Sequence, residues 1–130
     1  MKFLGRKSNL RLLCRTPLVF ARAYWWALAV LAAGALLDAV TTYQFLARYG
    51  PDEELRPDVR LVLRIMPVWA GPFFAKLVQS AFVVFVAAIW RGWCKWLIAI
   101  CGLFYCLAAA SNAFNWMLVL YKWFPSLMPV

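Results

Sequence analysis

The chain has 130 residues, of which 66% are apolar or aromatic and 15% charged, with a net charge of +9 and a mean hydropathy of +0.74. Soluble domains run nearer half apolar and a quarter charged, and a domain of this size hides only about two-thirds of the surface its chain exposes. Soluble globular, disordered and fibrous classes are thereby excluded, and the chain reads as an all-α integral membrane protein.

In chain order the first element is basic. Lys2, Arg6, Lys7, Arg11, Arg15 and Arg22 fall within residues 1–23 with no acid among them. Residues 9–15, Asn-Leu-Arg-Leu-Leu-Cys-Arg, form a short amphipathic stretch of the kind that lies on the inner membrane surface. Attraction to anionic lipid accounts for these charges, so the basic excess points to a membrane rather than to nucleic acid. Thr16-Pro17 predicts an N-cap with proline at the first helical position, starting a long first helix before it enters lipid.

Charges then divide the chain. Between Arg22 and Arg48 lie 25 residues with one charge, Asp38; between Arg64 and Arg91 lie 26 with one, Lys76; between Lys95 and Lys122 lie 26 with none. At 1.5 Å per residue, about 20 residues cross the ~30 Å hydrocarbon layer. Three transmembrane helices are predicted, near 24–47, 68–90 and 96–120. They make residues 24–123 the membrane domain and 124–130 a short outer tail. The apolar runs are too long for barrel strands and lack strict alternation. Tyr24, Trp25, Trp26, Trp69, Trp90, Trp93, Trp96, Tyr121 and Trp123 stand at the predicted ends, where amphipathic rings anchor at headgroup level.

Orientation follows from the basic residues. The N-terminal segment and the turn holding Arg91 and Lys95 carry eight lysines and arginines, against five in the loop 48–67 and at Lys122. The positive-inside rule places the N-terminus in the cytoplasm and the C-terminus outside, in the inner (plasma) membrane of a bacterium.

The outer loop is broken by Gly50-Pro51, and Pro57 restarts a short helix, 57–66, expected at the outer headgroups. Arg60 and Arg64 stand at i, i+4 in it, with Leu61, Leu63, Ile65 and Met66 supplying apolar contact. Pro67 and Gly71-Pro72 interrupt the way into the second span, a break tolerated at depth only beside protein or a water-filled cavity. Asp52, Glu53, Glu54 and Asp58 balance the loop's four arginines. The loop is read either as solvated and self-neutralising or as carrying carboxylates that face the membrane.

Each span also carries a polar stripe. The first has Asp38, Thr41 and Thr42 at i, i+3 and i+4; the second has Lys76, Gln79 and Ser80 at the same spacing; the third has Ser111, Asn112 and Asn115. Asp38 falls roughly 20 Å above the inner boundary and Lys76 roughly 18 Å, from the helical rise and core thickness. The two charges are expected to pair in the outer half of the membrane, with Asn112 and Asn115 completing the cluster. Such a cluster either holds three helices in register or forms a site open to the outer surface.

Asp38-x-x-Thr41-Thr42 in a first span, Glu54-Leu55-Arg56-Pro57 after a glycine-containing loop, and Lys76 in the next span resemble the motifs of an uncharacterised family of small bacterial and archaeal membrane proteins. That family carries Asp-x-x-Thr-Thr, then Glu-x-Asn-Pro, then a membrane lysine; the likeness covers roughly residues 30–85, with Arg56 in place of the asparagine. The resemblance implies an outward-facing polar site and, that family having no established activity, names no use for it.

Other chemistry is sparse. There is no histidine, and no nucleotide-binding glycine loop or nucleophile elbow. Cys14, Cys94, Cys101 and Cys106 form no Cys-x-x-Cys and read as small packing residues. No catalytic, cofactor-binding or metal-ligating residue is assigned, and no cofactor is expected. The favoured reading is a non-catalytic accessory or structural subunit of a larger membrane complex, with membrane subunits or a second copy as partners. Ala29, Ala33, Gly102 and Ala108–Ala110 are expected to admit close helix approach. The alternatives are an oligomeric transporter or channel subunit using the polar cluster, and an outer-leaflet lipid-modifying enzyme using Glu54 or Asp38.

Overall fold

Six helices run through the described residues: α1 (Asn9–Arg15), α2 (Pro17–Ala23), α3 (Trp25–Tyr49), α4 (Pro57–Leu63), α5 (Gly71–Ile89) and α6 (Cys94–Trp123). The computed structural model describes residues 9–50, 57–90 and 92–123, the side chains of Asp58 and 116–123 excepted. Lys2, Arg6, Lys7, Glu54, Arg56, Arg91 and the tail 124–130 lie outside the described residues. Three helices are long and apolar enough to cross a membrane: Trp25–Tyr49, Gly71–Ile89 and, within α6, Cys94–Asn115. The protein is therefore an all-α membrane protein, with span boundaries within a few residues of those predicted.

The long first helix expected from Thr16 is bent. Pro17 has no N–H to donate, and the chain breaks there between α1 and α2. Thr16 occupies the N-cap position, but its hydroxyl donates back to the Leu12 carbonyl at 3.2 Å instead of accepting from an amide of α2. A second joint follows at Tyr24 (φ −118°, ψ 20°), which separates α2 from α3. The Tyr24 ring lies 4.8 Å from that of Phe20, and its hydroxyl donates to Asn9 Oδ1 at 3.0 Å. These contacts tie α1 to the joint and fold the N-terminal segment back over one end of the bundle.

That end is closed by apolar packing. Phe20, Ala27, Leu31, Ala87, Ala88, Cys94 and Ile98 form a buried cluster, against which Leu10, Leu12 and Leu13 of α1 pack. Arg11, Arg15 and Arg22 remain exposed. α1 thus packs its leucines inward, whereas in α2 Phe20 is 1% exposed and belongs to the bundle core while Leu18 and Val19 face outward.

The register of the contacts makes α3 and α6 parallel, with α5 antiparallel to both. Trp26 meets Trp96 edge to face, centroids 5.9 Å apart, at the closed end. Gly34 faces Gly102 farther along, and Asp38 meets Asn112 beyond that. The glycines let the two backbones touch. A Cβ on Gly34 would overlap the Gly102 carbonyl oxygen, and one on Gly102 would stand 2.7 Å from the Leu31 nitrogen. Gly102, expected to admit close helix approach, does so here against α3 of the same chain. Ala109 is likewise buried, whereas Ala29, Ala33 and Ala110 face outward.

The helix predicted over 57–66 ends at Leu63 and continues as turns to Ala70. It lies against the start of α5: Val59 is fully buried, and a Cβ on Gly71 would stand 2.7 Å from Leu63 Cδ2. Leu61 and Ile65, expected to supply apolar contact at the headgroups, are 60% and 81% exposed on its outer side. Gly71-Pro72 starts α5 rather than interrupting it. Proline in the first turn forfeits no helical hydrogen bond, and both residues are buried.

Candidate functional site

Helical periodicity puts Asp38, Thr41 and Thr42 on one face of α3, and α5 crosses that face with Lys76 and Gln79 one turn apart. The Lys76 ammonium lies 2.5 Å from Asp38 Oδ2, with the two side chains 5% and 0% exposed. Lys76 also donates to Gln79 Oε1 at 3.0 Å, and its nitrogen stands 4.5 Å from the centroid of the Tyr105 ring. The Tyr105 hydroxyl donates to the same Gln79 oxygen at 3.4 Å.

The other carboxylate oxygen is also engaged. Asp38 Oδ1 accepts from the Thr42 hydroxyl at 3.4 Å and from Asn112 Nδ2 at 3.3 Å. Asn112 Nδ2 lies 3.4 Å from each of the Thr41 and Thr42 hydroxyl oxygens. Thr41 donates back to the Leu37 and Asp38 carbonyls at 2.9 and 3.2 Å, satisfying its own helix. One network thus joins α3, α5 and α6 around a single ion pair. Isolated charges in a low-dielectric interior are costly, and a pair persists there when further hydrogen bonds occupy the remaining polar atoms. This cluster meets that condition on both partners.

The predicted residues do not all join it. Asp38, Thr41, Thr42, Lys76, Gln79 and Asn112 come together. Asn115 and Ser111 are exposed on α6, so the third span contributes one of its three polar residues to the cluster. Asn115, three residues beyond Asn112, is turned about 60° from it around the helix and is exposed. Ser80 has a buried hydroxyl oxygen with no hydrogen-bond partner. Of the loop residues, Pro57 opens α4 and Arg60 is exposed on it, whereas Glu54 and Arg56 lie outside the described residues. Tyr105 was not singled out from the sequence. Its signal was position: it stands seven residues, two helical turns, before Asn112 on the same face, away from the interfacial belt.

With Asp38 fully buried and Lys76 4% exposed, the arrangement can fix three helices at one level but presents neither charge to solvent. Among the described residues, no group of three His, Cys, Asp or Glu side chains could hold a metal ion. Comparison with protein-family models, curated proteins and solved structures finds no match.

Proposed function

We propose that this small multi-pass membrane protein is a non-catalytic accessory or structural subunit of a larger membrane assembly. It lies in a bacterial inner membrane with its N-terminus in the cytoplasm and its basic N-terminal segment against anionic lipid. The observation that carries the reading is the closure of the polar cluster. Asp38, Lys76, Thr42 and Asn112 satisfy one another inside the bundle, so the charges serve packing and are withheld from a substrate. Asp38, Thr41, Thr42 and Lys76 are also the residues of the family motifs that the chain resembles, which reads those motifs as fixing helix register.

The outward faces support the same reading. Only 39%, 28% and 22% of the residues in the most apolar windows of α3, α5 and α6 are buried within the chain. Leu37, Phe82, Phe85, Phe104 and Leu107 are among the exposed residues, leaving broad apolar faces for lipid or partner helices. Mild extraction from the native membrane, followed by native mass spectrometry, tests the proposal. A defined complex with other chains is expected, whereas a lone chain or a homo-oligomer would overturn it.

One observation favours the transporter alternative: the buried Ser80 hydroxyl beside Gln79 has no partner, as in a cluster completed by a ligand. Against it, no acidic or amide residue lies in the part of any span between this cluster and the closed end. Ion or solute flux through the purified chain in liposomes discriminates between the two.

A further inference from the structure

We infer that α6 docks a transmembrane helix of another chain along the face of Ile100, Phe104, Leu107, Ser111 and Asn115, and that this partner meets Asn115 with a neutral amide or hydroxyl side chain. That the occupant is another chain rests on the accessory-subunit reading; the face it covers is set by α6 itself.

These five residues follow one another at spacings of four, three, four and four, and all five are exposed. At 3.6 residues per turn they fall within about 80° of one another around the helix. The opposite side of α6 is taken up inside the chain, where Ile98, Gly102 and Ala109 are buried and Gly102 touches the backbone of α3. Ile100, Phe104 and Leu107 alone would suit lipid. Ser111 and Asn115, one turn apart, would not, and neither side chain has a hydrogen-bond partner among the described residues. A serine hydroxyl can turn back to its own helix, but an asparagine carries two N–H donors and a carbonyl acceptor, more than one helical backbone satisfies.

Asn112 fixes their level. It reaches Asp38 at 3.3 Å, and at the helical rise Ser111 and Asn115 lie about 1.5 and 4.5 Å from it along the axis. Both therefore stand at the depth of the buried ion pair, inside the hydrocarbon layer. Past Asn115, α6 continues through Leu118, Val119 and Leu120 before it ends at Trp123. An amide facing lipid at that depth has no water to bond, so a helix that offers it a partner is favoured over acyl chains. Asn112 shows the satisfied case three residues away, its nitrogen within 3.4 Å of Asp38 Oδ1 and the Thr41 and Thr42 hydroxyls. A charged group opposite Asn115 would enter the membrane uncompensated, because Asp38 and Lys76 already pair with each other. An amide or hydroxyl both gives and takes a hydrogen bond across the seam and brings no charge with it.

The test uses the full chain in its native membrane. A photoreactive phenylalanine analogue replaces Leu107 or Phe114, which flank Ser111, or the exposed Phe82 of α5 as the control. Irradiation from the first two positions should join α6 to a transmembrane segment of another chain, and Phe82 should join only to lipid. Mass spectrometry of the joined peptides should place the joint from position 114 within one turn of an Asn, Gln, Ser or Thr of the partner. Asn115→Leu should lower the fraction of chain retained in the complex after mild extraction about three- to tenfold, the range of one interhelical hydrogen bond. Asn115→Gln should stay near the parent, and thermal unfolding of the purified chain should be the same for all three. A complex recovered with no protein joint from Leu107 or Phe114, or retained equally by Asn115→Leu, would overturn the inference and leave the subunit reading standing. A joint to a second copy would also overturn it, and a homo-oligomer or a lone chain would overturn the subunit reading with it.

Discussion

At the residue scale the molecule turns on one buried ion pair. Asp38 and Lys76 have no water to fall back on, so removing either leaves the other charge stranded among apolar helices. Breaking such a pair costs about 3–5 kcal/mol, whereas replacing both partners by apolar residues of similar volume is often neutral. Asp38→Leu or Lys76→Met alone should therefore lower the stability of the purified protein by about that amount. The double variant should recover most of the loss, read by thermal unfolding in detergent as a double-mutant cycle. A double variant as unstable as the sum of the two would show that the pair does more than satisfy itself. The pairing was legible in the sequence because charges are rare in spans and the helical rise places both at one depth. Tyr105 and the exposed position of Asn115 were not. Which members of a polar stripe face a neighbour depends on how the helix is rotated against it, and that is set by the packing of all three helices rather than by one sequence.

At the scale of elements, the seam between α3 and α6 is set by Gly34 and Gly102. Each lacks the atom that would push the other helix away, and the close approach lets Asn112 reach Asp38 in the next turns. The Cβ of Gly102→Ala would stand 2.7 Å from the Leu31 nitrogen, and that of Gly34→Ala would meet the Gly102 carbonyl. Both obstacles are backbone, which cannot rotate aside, so the helices must separate. Each variant should lose about 1–3 kcal/mol, the usual cost of overpacking, in the same unfolding measurement. Gly92→Ala serves as the control: a Cβ there meets nothing within 4 Å, and its stability should stay within about 0.5 kcal/mol of the parent. Equal losses at Gly92 and Gly102 would sink the steric account. The three spans themselves were readable from charge-free lengths alone. The joint at Tyr24 was not, because it depends on Asn9, fifteen residues earlier, meeting the Tyr24 hydroxyl while Phe20 packs on its ring. That Gly102 admits a close helix was readable, but not which helix, since small residues read the same on a seam and on an outer face.

For the whole molecule, the two ends of the bundle differ in kind. One end is closed by α1 and α2 over an apolar cluster and carries Arg11, Arg15, Arg22 and Lys95 with no described acid; the other carries α4, with Arg60 and Arg64 beside exposed Leu61 and Ile65. Basic residues flanking a span resist translocation, and the rule counts lysine and arginine regardless of nearby acids. Counted along the sequence, eight precede the first span or join the second to the third, against five in the loop 48–67 and at Lys122, which favours keeping the α1–α2 end in the cytoplasm. Cys14, on the exposed face of α1, reports that end directly. Of the other thiols, Cys94 is buried and Cys101 and Cys106 lie within the span of α6, away from an aqueous reagent. A membrane-impermeant maleimide should leave Cys14 unlabelled on intact spheroplasts and label it once the membrane is opened. Ile65→Cys in a Cys14→Ser background should behave in the opposite way, since Ile65 is 81% exposed at the far end. Labelling of Cys14 from outside would invert the orientation. The pair of labels thus fixes on which side any partner or lipid must approach.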